Sequence, residues 1–407
     1  MKLLVVANTY LPLLNGTARC AATWSRELAR KNHDVTVVTP RMDGAPTKET
    51  CGGVTVLRVE RLLPRLPLVF PNPEHVGSLP LSDPWVSTRL KEIARQVKPD
   101  LVHVHGEIAA SVEASGVVRD LPAVLTLHDY RFSCPSGNLW SAQEGVCHER
   151  PSMARCVPCL AGNSRLDRAA ARYCAFRLHT SKLASRYTLT AVSETVANAQ
   201  AQSGFCHDDS IIVVPPCAEH AQVDVAENRQ EERDGGMVLF VGVLSEKKGV
   251  AVLANALPLI EKGAHVVVVG IRYPWNRWQC PDGVDCLENL DHESVIALMR
   301  RAAVVVVPSV WPEPFGLVAQ EAMAMGTAVV ASDIGGLGEQ IVNRENGLLV
   351  PPGDPAALAE AVNELLLDSD LKRRLGENGQ RTVRERYSPD TVIPRLEAVF
   401  ESAISVS

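Results

Sequence analysis

No run of about 18 uninterrupted apolar residues occurs in this 407-residue sequence, so a membrane-spanning helix is not expected. An excess of positive charge is also missing. The formal net charge of −6 argues against a nucleic-acid binder that relies on phosphate contacts. The opening MKLLVVANTYLPLLNGTARC has one lysine followed by an apolar run, as a secretory leader does. However, the run breaks at Asn8, no small-x-small cleavage site follows, and Arg19 just before Cys20 is a poor fit to a lipoprotein signal. It reads as a buried first strand. No short repeat is evident, which excludes a solenoid. Cysteine is not scarce, but 11 is an odd number in a long chain, and this favours reduced thiols and a cytoplasmic protein over a secreted disulfide framework.

What is present is ample core material: 46% of the residues are hydrophobic, enough for two domains of ordinary size. Short Val-rich runs alternate with helical stretches. KLLVVAN, DVTVVTP, GVTVLRV, DLVHVH and AVLTLHD, then LTAVSE and SIIVVPP, predict a parallel sheet covered on both faces. A polar, acidic stretch at 218–236 reads as a linker. The rhythm then restarts with MVLFVG, AHVVVVG, GVDCLEN, AAVVVVPS, TAVVAS and NGLLV. Two Rossmann-like halves are expected, an α/β chain with domains at 1–217 and 218–388 and a helix at 389–407. In such sheets the ligand crevice lies at the carboxyl ends of the strands. Two crevices that faced one another would make an interdomain cleft.

The strongest chemical signal is EPFGLVAQE, from Glu313 to Glu321, after one strand and at the start of a helix. Gly316 lets a ligand approach the backbone, and the N–H groups of a first helical turn favour an anion, so a phosphate belongs there. A carboxylate on either flank can then accept hydrogen bonds from hydroxyls. Isolated glutamates are commonly solvated. The neighbours weaken that reading: ASDIGGLGEQI supplies a glycine-rich turn, and FVGVLSEKKGV presents Lys247 and Lys248 at a strand end.

With these motifs the chain resembles glycosyltransferase family 4, retaining enzymes of GT-B fold that use nucleotide-sugar donors. The likeness runs from NTYLPLLNGTAR to the ERYS segment at 385–388, and its most specific parts are EPFGLVAQE, the preceding Pro308–Ser309, and GGLGE followed by NGLLV. The resemblance implies two Rossmann-like domains facing each other across a cleft, with the acceptor on the first, the donor on the second, and the C-terminal helix returning to the first. It implies that Glu313 binds the donor sugar's hydroxyls near the amides of Phe315 and Gly316. Leu317 and Val318 would offer amides to the diphosphate, Glu321 would hold the ribose, and Lys248 would contact phosphate. Gly16 matches a glycine of the loop that closes over the diphosphate, and His128 the histidine that approaches the transferred sugar. His128, Lys248 and Glu313 are therefore the expected catalytic group. Three departures stand out: Val243 replaces the arginine of the phosphate pair, Asn15 the first of two glycines, and Pro216 a common asparagine. No DxD-type signature stands in the expected place, so chemistry without a metal cofactor is expected, and the family favours front-side attack over a carboxylate nucleophile. Rival readings are a sugar-nucleotide epimerase or phosphorylase, and a silent binding subunit, which Val243 and Asn15 make conceivable.

Two features lie outside that core. Cys134, Cys147, Cys156 and Cys159, in a Cys-rich loop at 134–159, suit a closed structural zinc site; free thiols or two disulfides are the alternatives. RLLPRLPLVFPN, at 61–72, joins two arginines to an apolar run that would rest on a membrane or hold a lipid-linked acceptor. Its three prolines favour a loop packed on the domain. The expected partners are a nucleotide-diphosphate sugar donor and an unknown hydroxyl acceptor.

Overall fold

The computed structural model describes residues 1–13, 15–65, 81–141, 145–161, 166–207, 210–219, 234–271 and 278–406. Most of the acidic linker and the part of the 61–72 stretch from residue 66 onward lie outside the described residues. The chain divides into two compact units. One is Met1–Ser141, Cys147–Cys217 and Val392–Ser407, and the other is Ala142–Val146 and Ala218–Thr391.

The first unit is built on β1 (Lys2–Ala7), β2 (Asp34–Pro40), β3 (Lys48–Cys51), β4 (Val54–Val59), β5 (Leu101–His105), β6 (Ala123–Leu127), β7 (Thr188–Ala191) and β8 (Ile211–Val213). Their order across the sheet is β8-β7-β6-β5-β1-β2-β4-β3. All neighbours run parallel except β3, which pairs antiparallel to β4. The central strands β1, β5 and β6 are buried almost throughout, as continuous Val/Leu runs covered on both faces should be. Helix Gly16–Arg30 packs Trp24 and Leu28 into the core. From the chain's end, helix Pro389–Val406 adds Val392, Ile393, Leu396, Val399 and Phe400 to that same core, at the spacing of one helical face. Its Glu397 accepts hydrogen bonds from Lys31 Nζ at 2.9 Å and lies 2.9 Å from His33 Nε2.

The second unit carries β9 (Met237–Val243), β10 (His265–Ile271), β11 (Asp285–Glu288), β12 (Val304–Val307), β13 (Ala328–Ser332) and β14 (Leu348–Val350). The sheet order is β11-β10-β9-β12-β13-β14, all parallel. Its centre, β9 and β12, is again valine-rich and buried, so the chain turns polar only beyond the strands' carboxyl ends. Nine of the cysteines are thiols, as the odd count suggested, and one pair is an exception. Cys280 and Cys286 form a disulfide, their Cα atoms 6.2 Å apart and well placed for it, where the odd cysteine count had suggested thiols.

Candidate functional site

In the second unit the polar groups gather where β9 and β12 end. Ser309 and Trp311 follow β12, and Glu313 is only 4% exposed. Its Oε1 accepts hydrogen bonds from Lys248 Nζ and Ser309 Oγ, both at 2.6 Å. Burial pushes this carboxyl up. The Lys248 ammonium beside it, with hydrogen bonds from Lys248, Ser309 and Trp311, outweighs burial and holds it below the ordinary carboxylate range. Glu313 is thus an ionised group kept ready inside the fold.

Lys248 reaches it from the short turn Glu246–Lys248, which Gly249 ends at φ +76°. A Cβ on Gly249 would stand 1.8 Å from the Pro308 carbonyl oxygen, so only glycine lets this turn lie against the end of β12. Lys247 Nζ and Lys248 Nζ lie over the Trp311 ring, 4.7 and 5.3 Å from its centroid. Two cations therefore share this site, and Val243, the residue where the family's arginine was expected, is half-buried at the end of β9.

Gly316, at φ +101°, starts the helix Leu317–Ala324. Leu317 and Val318 are half-buried in its first turn, where N–H groups have no partner inside the helix. The Phe315 ring is buried edge-on against Tyr387, 5.5 Å away. The glycine-rich turn closes on this segment: Gly336 N–H donates to the Glu313 carbonyl at 2.7 Å, and Gln340 Nε2 donates to the Phe315 carbonyl. Glu321 is 7% exposed, one turn further along. The structure thus brings Lys248, Glu313, Phe315, Gly316, Leu317 and Val318 to one strand-end cluster, with Glu321 on its helix.

In the first unit, Gly16 opens the helix Gly16–Arg30 and is exposed. Asn15 departs from glycine for a local reason: its backbone is ordinarily extended, and its side chain caps the helix by accepting from Ala18 N–H at 2.8 Å. His128 follows β6. Its Nε2 is 2.7 Å from His105 Nδ1, and the two rings stack with centroids 5.0 Å apart. His103, on the same face of β5, packs at a tilt against the His105 ring, and its Nε2 lies 2.7 Å from Thr126 Oγ1. Burial holds His103 and His128 down at about 3 and His105 well below its ordinary value, so all three rings are neutral. The HxH alternation in DLVHVH was the signal for this cluster; read only as a strand, it hid the pair.

Beside them, Asn8, Pro40, Arg61, Asp83, Glu107 and Ser111 line a cleft. Asp83 is consumed by four backbone N–H groups, those of Leu62, Leu63, Trp85 and Val86. Glu107 receives Arg131 Nη1 on both oxygens, at 2.7 and 2.8 Å. Among the described residues, Arg61 has no carboxylate at ion-pair distance. Arg61 is the first arginine of the 61–72 stretch, whereas Glu107 and Arg131 carried no motif signal.

Cys134, Cys147, Cys156 and Cys159 are all thiols. Burial pushes the Cys156 thiol up and the other three add to that push, so the four share a neighbourhood. Among the described residues no three His, Cys, Asp or Glu side chains are grouped so as to hold an ion.

Among the described residues no helix is long and apolar enough to cross a membrane. Known proteins match the chain along nearly its whole length. The pattern of Glycosyl transferases group 1 matches residues 224–382, and that of Glycosyltransferase Family 4 matches residues 14–222. An uncharacterized glycosyltransferase of Methanocaldococcus jannaschii is 26% identical over 446 residues, covering 100% of this chain and 99% of its own. Among solved structures, sucrose-phosphate synthase from Thermosynechococcus elongatus aligns with TM-score 0.76 at 21% identity, covering both chains fully. HepE of Anabaena in complex with UDP-glucose aligns with TM-score 0.68 at 19% identity, over 99% of this chain and 100% of its own. The fold is therefore that of the GT-B glycosyltransferases, and the chain belongs to Glycosyltransferase Family 4.

Proposed function

We propose that the protein transfers a hexose from a nucleoside-diphosphate donor to a hydroxyl acceptor, with retention at the anomeric carbon and without a metal cofactor. The observation that carries this reading is the buried, ionised Glu313 held by Lys248 directly before the helix start at Gly316. That HepE was solved with UDP-glucose supports a nucleotide-sugar donor.

Departure of the diphosphate puts negative charge on the leaving group and positive charge on the sugar ring. The second unit answers the first with the amides of Phe315, Gly316, Leu317 and Val318 and with Lys248. These dipoles and this charge are fixed before the reaction, which is where electrostatic catalysis gains most. Lys247, sharing the Trp311 face, takes the place of the arginine lost at Val243. Glu313 accepts hydrogen bonds from sugar hydroxyls, and Glu321 from the ribose. Gly16, at the start of its helix, is the first unit's contact to the diphosphate. In the first unit His128 donates a hydrogen bond to the transferred sugar, and the cleft with Arg61 receives the acceptor. The acceptor hydroxyl attacks from the leaving-group face as the bond from the anomeric carbon to the diphosphate breaks and gives its proton to the departing diphosphate oxygen, which retains configuration without a covalent intermediate.

Val243 favours one other reading, a subunit that binds the donor but is silent. Incubation with nucleotide sugars and a panel of hydroxyl acceptors separates the two. Transferase activity gives nucleoside diphosphate and a glycosylated product in equal amounts. Binding without turnover across the panel supports the silent subunit.

A further inference from the structure

The hydrogen bond between His105 Nδ1 and His128 Nε2 holds one proton, and the rest of the cluster decides whose it is. His105 is fully buried, and its other nitrogen, Nε2, has no hydrogen-bond partner among the described residues. Were His128 to donate, neutral His105 would carry its own proton on Nε2, burying an N–H with no acceptor. Such orphaned donors are rarer in folded proteins than under-used acceptors. Were His105 to donate instead, its Nε2 would be a bare lone pair. His128, accepting at Nε2, would then carry its proton on Nδ1. No described residue takes that nitrogen, so it is the one left for a ligand.

We propose that His105 is a positioning residue that locks neutral His128 as its Nδ1–H tautomer, so that His128 meets its ligand as a hydrogen-bond donor and never as a base. The neighbours keep the arrangement rigid. His103 packs at a tilt against His105 with centroids 4.2 Å apart, and is itself fixed by Thr126, whose Oγ1 is 2.8 Å from Thr190 Oγ1. Trp24 stacks on His103 at 5.9 Å and Phe400 meets it edge-on at 5.1 Å. Burial disfavours a charged ring anywhere in this cluster, which removes the doubly protonated alternative.

The part played by His128 in the reaction rests on the function proposed above; its tautomer does not. The first test therefore needs no substrate: a long-range nitrogen-15 spectrum of the imidazoles in the full chain, with His128 assigned by its loss in His128→Gln. The expected result is protonated Nδ1 and bare Nε2 on His128. Protonated Nε2 overturns the proposal, whatever the protein transfers. The second test uses His105→Asn, whose side-chain N–H replaces the donor, and His105→Leu, which removes it. His105→Leu should free the tautomer, mix the two forms and lower kcat about tenfold or more with the donor KM nearly unchanged, whereas His105→Asn stays within about threefold of wild type. Equal activity in both variants, or an unmoved His128 spectrum in His105→Leu, contradicts the assignment.

Discussion

Lys248 is the residue with the most to lose. It neutralises Glu313 at 2.6 Å and, in the proposed reaction, the departing diphosphate. Lys248→Ala should cost about 2–4 kcal/mol of transition-state stabilisation, read as kcat/KM, and unchanged turnover would remove it from the mechanism. It also strands a buried carboxylate, so Lys248→Ala combined with Glu313→Gln should be more stable than Lys248→Ala alone. The residues of this cluster were legible because they stand in one contiguous motif, EPFGLVAQE, and in one short turn, SEKKGV. Glu107 and Arg131 were not, since they meet only through the fold: they are 24 positions apart and bond because β5 and β6 end side by side.

At the level of elements, the parallel strands were readable because most are Val-rich runs too short for a helix and bounded by turn residues. Strand β3 was not. KETC has no apolar alternation, and all but one of its four residues are exposed, so only pairing with β4 makes it a strand. The turn that carries the two lysines depends on Gly249 in the same local way. Gly249→Ala must relieve a 1.8 Å approach to Pro308 and adopt a left-handed φ, at a cost of about 2–3 kcal/mol. A urea midpoint lowered to match, with weaker donor binding, is expected. A variant as stable as wild type would show that the turn has room this packing denies it.

For the whole molecule, three neutral histidines in one unit, His103 and His105 buried and His128 half-buried, set how stability depends on pH. His103 and His128 are held at about 3 and His105 well below its ordinary value, so between about pH 6.5 and 3 the unfolded chain binds protons that the folded chain does not. Stability attributable to the cluster is intact above pH 6.5 and falls as the pH drops. Each histidine contributes up to about 1.4 kcal/mol per pH unit. Replacing His103 by Gln should flatten that slope, and an unchanged slope would mean that His103 titrates normally. The second unit has no such cluster among its described residues; its demand is for charge kept in place around Glu313. The most direct test of the account is a calorimetric titration of wild type and Lys248→Gln with uridine, guanosine and adenosine diphosphates. At least one nucleoside diphosphate should bind the wild type, and about tenfold more weakly to the variant. Binding of none of the three, or equal binding to both proteins, would contradict it.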